Sequence, residues 1–149
     1  MFIQKIDCGR NLEQQLHLYV ECRARFCNLD SVKVCLILCV CSLCARAHRW
    51  MKGKHNKKTG AFVKAALAYC HITAPSLQDP FKRLQLLLHC AEIAVLNQCL
   101  PQTDTFLKAA IHLLPDLPAS DADTTTTDSS NSSSGDPPVP IPIYQPLSQ

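Results

Sequence analysis

VKVCLILCVCSLCARAHRW, residues 32–50, is apolar on nearly every face when wound as a helix. A helix of that kind belongs inside a larger helical assembly or inside a bilayer. A span needs roughly 20 apolar residues. The uncharged run from Val34 to Ala45 stops short of that, closed by Lys33 on one side and Arg46 on the other. The stretch is therefore expected to be the central helix of a layered array, covered by neighbours on both sides. The competing expectation is a small membrane-inserted protein in which the Leu36–Ala47 helix enters the bilayer and the basic loop after it stays cytoplasmic.

Outward from this helix the apolar spacing remains helical. Before it, Asn11 to Cys27 carries Leu12, Leu16, Tyr19, Val20 and Phe26 as one stripe, with Asn11 and Gln14 resembling a capping box. Asn28-Leu29-Asp30 breaks the pattern, and Asp30 is expected to cap the central helix. After it, Gly53 and Gly60 are expected breaks, and a third helix runs from about Lys57 to Thr73. Asp79 and Pro80 form a start signal for a fourth, Pro80 to Cys99. Its two stripes, Leu84, Leu88, Ala91 and Val95 beside Leu86, Cys90, Ile93 and Leu100, require two neighbours. Pro101 is expected to end it, and Thr103 to Leu114 to form a fifth with Phe106, Leu107, Ala110, Ile111 and Leu114.

Residues 1–118 are thus expected to be all-α, a HEAT-like α-solenoid segment of about five antiparallel helices. Residues 119–149, rich in Ser, Thr and Pro, hold too little apolar surface to offset their ordering entropy and are expected to be a disordered tail. In the tail Ser120, Thr125 and Ser133 each stand three residues ahead of an Asp, and Pro137-Pro138-Val139-Pro140 has PxxP form; a flexible tail explains both.

A formal net charge of +3 hides an asymmetry. Ser31 to Gln78 contains no acid, and Arg46, Arg49, Lys52, Lys54, Lys57 and Lys58 crowd its middle. These six are the candidates for an acidic partner or an anionic surface. Nucleic acid is not expected, because Trp50 is the only strong aromatic interleaved with them and no base-reading motif is present.

Ten cysteines in a chain whose opening residues hold no secretory apolar region suggest buried thiols in a reducing cytosol. Cys35, Cys39, Cys41, Cys44 and His48 offer metal-ligand types, but one helix poorly wraps a tetrahedral ion, so no metal is expected there. Cys70 and His89 could meet across two helices, yet no orienting third residue accompanies them. Gly9, Gly53, Gly60 and Gly135 stand apart and build no phosphate loop. Neither catalysis nor a cofactor is expected.

Longer stretches carry a resemblance: IQKIDCGRNLEQQL from Ile3, YVECRARFCNLDSV from Tyr19, MKGKHNKKTGAFVKAALAYCHIT from Met51, PSLQDPFKRLQLLLH from Pro75 and NQCLPQTDTFLKAAIHLLPDLP from Asn97. From about Phe2 to Pro118 the chain resembles an internal portion of the C-terminal half of the large (VPS35-like) α-solenoid scaffold subunits of the retriever endosomal recycling complex. The resemblance implies a non-catalytic scaffold that works with a small phosphoesterase-like subunit, an arrestin-like subunit, and coiled-coil and COMM-domain proteins. It further implies a cytoplasmic protein, peripheral on endosomes, that serves recycling of membrane cargo to the cell surface. No residue-level contact motif is carried over with it. The run LILCVCSLCARAHRW is more apolar and Cys-rich than the corresponding helix of the family.

Overall fold

The computed structural model describes Ile3 and residues 7–117, and its helices follow in the order α1 (Leu12–Arg25), α2 (Asp30–Trp50), α3 (Lys57–Thr73), α4 (Pro80–Leu96) and α5 (Leu100–Leu113). Short 3-10 turns, Ala74–Ser76 and Leu114–Asp116, close α3 and α5. The described residues contain no strand. The fold is all-α, as expected of a helical solenoid segment. The helices belong to one unit, Met1–Pro118, and the expected tail lies outside the described residues.

Local chemistry sets the helix ends. Asn11 caps α1 by accepting from the Gln14 amide at 3.1 Å, and its own side-chain amide donates to Gln14 Oε1 at 3.2 Å. The full reciprocal box is at α3: Asn56 Oδ1 accepts from the Thr59 amide at 2.8 Å, and Thr59 Oγ1 from the Asn56 amide at 3.0 Å. Asp79 caps α4 through the Phe81 and Lys82 amides at 3.0 and 3.2 Å, with Pro80 opening the helix.

Several expected boundaries move. Asp30 is the first residue of α2, not its cap; Leu29 holds the cap position without a side-chain bond. The Asp30 carboxylate instead accepts from the distant Gln78 amide at 2.9 Å and pairs with Lys33 Nζ at 2.7 Å. Gly60 lies inside α3 and breaks nothing, because the capping box ahead of it fixes the first turn. Pro101 does not end α4; it sits in the first turn of α5, where a missing N–H costs nothing. The α4 stop comes earlier, where Gln98 turns left-handed (φ 59°) and Cys99 N bonds Ala94 O at 2.9 Å, a Schellman closure.

Helix α2 meets α1, α3 and α4. Leu36, Ile37 and Val40 are 0% exposed and Leu43 1%. Each contributes about 1.5–3 kcal/mol by leaving water. By length and hydropathy α2 is sufficient to cross a membrane. Its apolar faces are nevertheless taken by sibling helices, so membrane insertion of Leu36–Ala47 would strip the core of the fold. One cation enters that core: Lys33, 5% exposed, donates to Ser76 O at 2.6 Å and to Asp30, tying the start of α2 to the α3–α4 connection.

The expected stripes are half filled. Tyr19 is buried and accepts a hydrogen bond from Gln15 Nε2 at 2.9 Å, whereas Val20 and Phe26 are exposed. On α4 the buried row is Leu86, Leu87, Cys90, Ala91 and Ala94, leaving Leu88 and Val95 outside. On α5, Phe106, Ala110 and Leu113 face in while Leu107 and Ile111 face out, as does Leu114 in the turn that follows.

Candidate functional site

The basic candidates collect around one corner. Helix α2 closes after Trp50 in a second Schellman motif: Lys52 N bonds Arg49 O at 3.2 Å and Gly53 N bonds His48 O at 3.1 Å. Lys52 (φ 49°) adopts the left-handed conformation this requires, and Gly53 (φ 77°) is left-handed as well. The Asn56 capping box then restarts the chain as α3. Arg49, Lys52, Lys54, Lys57 and Lys58 are exposed along this turn.

Arg46 stands apart from them. Its guanidinium donates to Gly9 O at 2.7 Å, lies 3.4 Å from Asp7 Oδ1, and covers the Trp50 ring at 5.2 Å, so it holds the N-terminal segment against α2. Lys58 reaches Glu13 at 3.5 Å across solvent, a weak contact. Among the described residues, no carboxylate pairs with Arg49, Lys52, Lys54 or Lys57. Lys57 and Lys58 also oppose the dipole at the start of α3, whose first turn holds no acid. The corner therefore has unbalanced positive charge. Beside it Arg10, Leu12, Glu13, Trp50, Lys58 and Phe62 line an open groove of about 590 Å³.

A second surface is apolar. Leu100, Leu107 and Ile111 follow one face of α5, continued by Leu114 in the next turn, and Ile111 is 63% exposed. Ile72 on α3 and Val95 and Leu96 on α4 are exposed as well.

A third feature is internal. Cys41 of α2, Cys70 of α3 and Cys90 of α4 bring their sulfurs within 4.8 Å of one another, all buried. The Cys41 and Cys90 sulfurs are 3.7 Å apart. Hydrogen bonds from the Cys70 and Cys90 thiols pull the Cys41 thiol well below its ordinary range. The bond to Cys41 is also the main reason that Cys70 and Cys90 are pushed up. Cys44, outside the cluster, is pushed up by burial.

Of the ligand types on the central helix, only Cys41 joins this group; Cys35, Cys39, Cys44 and His48 do not. Cys70 faces two other thiols, while His89 Nδ1 lies 3.4 Å from Glu92 Oε2 on its own helix. Reading one helix at a time missed the cluster. Its only signal in the sequence was a cysteine in the apolar stripe of each of three helices.

Five stacked helices, with no strand among the described residues, have the architecture of a helical solenoid segment. Residues 1–135 match the family described as the VPS35L C-terminal domain, and the chain belongs to that family. It is 52% identical over 119 residues to the rat protein "VPS35 endosomal protein-sorting factor-like", covering 80% of this chain and 13% of the relative. The human protein of that name is 52% identical over 117 residues, covering 78% of this chain and 12% of the relative. The Drosophila melanogaster relative is 42% identical over 123 residues, covering 83% and 12%. The chain therefore spans about an eighth of the length of these curated relatives.

Proposed function

We propose that this chain is a non-catalytic scaffold segment of a retriever-type complex, serving endosome-to-plasma-membrane recycling of membrane cargo by binding other subunits. The supporting observation is the row Leu100, Leu107, Ile111 and Leu114, which stays bare after the core is complete. Apolar faces of this kind mark protein or membrane contacts or ligand grooves, and a protein contact is the reading taken here. The printed names of the relatives, endosomal protein-sorting factors, supply the setting. The mechanism is geometric, because packed helices hold separated surfaces at fixed distance without bond-making chemistry.

The partners in this reading are the small phosphoesterase-like subunit, the arrestin-like subunit, and coiled-coil and COMM-domain proteins. The protein is cytoplasmic and reaches endosomes peripherally through them. Arg49, Lys52, Lys54, Lys57 and Lys58 are assigned to an acidic partner face or to anionic headgroups at that membrane, with Arg46 behind them as an internal brace.

Co-purification tests the assignment. Tagged chain, expressed in cells depleted of the full-length relative, is expected to recover the small phosphoesterase-like subunit. The double variant Leu107→Glu, Ile111→Glu is expected to lose it while keeping its helical circular dichroism. A folded chain that recovers none of these subunits refutes the assignment. Recovery unchanged by the double variant refutes the role given to α5.

A further inference from the structure

We propose that Cys41, Cys70 and Cys90 form a three-thiolate site for a thiophilic d10 metal ion, Cu(I) or Zn(II), which staples α2, α3 and α4 together. Three sulfurs from helices distant in sequence converge within 4.8 Å, and each residue is at most 1% exposed. Packing alone asks only for small apolar volume at these positions, which alanine or valine supplies. Thiols at all three facing positions instead make a ligand set of the kind that selects soft ions.

The distances suit that use. A metal–sulfur bond of about 2.3 Å places ligand sulfurs about 3.8 Å apart around a tetrahedral ion and about 4.0 Å apart around a trigonal one. The Cys41–Cys90 separation is already 3.7 Å. The Cys70 sulfur lies within 4.8 Å of both, so a shift of at most about 1 Å closes the ring.

Among the described residues, no fourth His, Cys, Asp or Glu joins the group. Three-coordinate Cu(I) thus fits the closed core as it stands, whereas Zn(II) needs a water admitted as its fourth ligand. Binding replaces S–H by S–metal bonds at up to three sulfurs. The protons leave to solvent, no electrons move, and the ion keeps its oxidation state. Because the sulfurs are enclosed, the ion enters as the chain folds, and its binding energy becomes folding energy.

The full chain is refolded anaerobically with Cu(I) or, separately, with Zn(II), then desalted, assayed for metal and examined by X-ray absorption. The expected result is about one ion per chain with three sulfurs at about 2.3 Å, and a raised thermal midpoint. Cu(I) alone in the shell of three sulfurs, or Zn(II) with an added oxygen, identifies the ion. Cys44→Ala, which removes a neighbouring buried thiol, is expected to keep the metal; Cys41→Ala, Cys70→Ala and Cys90→Ala are each expected to lose it.

Should those three variants lose helicity, the wild-type chain decides. Alkylation in partial denaturant should slow most at Cys41, Cys70 and Cys90 on metal loading, less at the buried non-ligand Cys35, and not at all at the exposed Cys27. A folded wild-type chain that retains neither ion, retention indifferent to the three replacements, or protection that skips these cysteines overturns the site. None of these results bears on subunit recovery, so the site and the scaffold assignment fail independently.

Discussion

Replacing Leu36 by alanine tests the covering of α2 directly. Leu36 is 0% exposed, in a helix flanked by α1, α3 and α4. The change removes about three carbons, worth roughly 0.8 kcal/mol each in transfer from water, or about 2.4 kcal/mol. The cavity left behind adds to this, and buried Leu→Ala changes cost about 2–5 kcal/mol; about 3 kcal/mol is expected.

Leu38, two residues away, is 41% exposed and borders an open groove with Val34, Leu86 and Leu88. Leu38→Ala is expected to cost about 1 kcal/mol or less, since much of its surface never left water. Urea unfolding followed by circular dichroism gives both values, with the slope unchanged and only the midpoint moving. In thermal melts Leu36→Ala should fall by roughly 10 °C or more. Equal costs at the two positions, or no cost at Leu36, would falsify the packing of this helix.

The remaining predictions concern helix ends and charge. Gln98→Gly relieves a left-handed residue at the α4 stop and is expected to raise stability by about 0.5–1 kcal/mol in the same urea assay. Asn56→Ala removes the α3 capping box and is expected to cost about 1 kcal/mol, with Thr59→Ala adding little once Asn56 is gone. The Lys33 ammonium and the Gln78 amide hold Asp30 below the ordinary carboxylate range, and the Lys82 amide holds Asp79 there. A folded pKa below the unfolded one contributes stability at higher pH that is lost as pH falls through the folded value. The carboxylate contribution to the urea midpoint should therefore be constant above about pH 5 and decline below about pH 4, less steeply in Asp30→Asn, Asp79→Asn.

The all-α class, the number of helices and the ends of α3 were legible from spacing and from Asp79-Pro80, because apolar period and capping chemistry are local. Gly60 and Pro101 misled for a local reason too: each marks a break in isolation, but Pro101 sits in the first turn of α5, where the backbone N–H has no partner to lose, and Gly60 is held by the capping box ahead of it, its amide bonding Asn56 O at 2.8 Å. Asp30 was misassigned because its partner, the Gln78 amide, comes from the connection between α3 and α4, distant in sequence.

Which half of each wide stripe faces inward was a tertiary decision. On α5 every one of Phe106, Leu107, Ala110 and Ile111 is apolar, and only the position of α4 and α3 selects Phe106 and Ala110 for the core. The same holds for the sulfurs. The sequence determined that cysteines would lie in three apolar stripes, since periodicity is a property of one chain segment. That Cys41, Cys70 and Cys90 meet, while Cys35 and Cys44 do not, depends on how three helices are rotated against one another, which no single segment encodes.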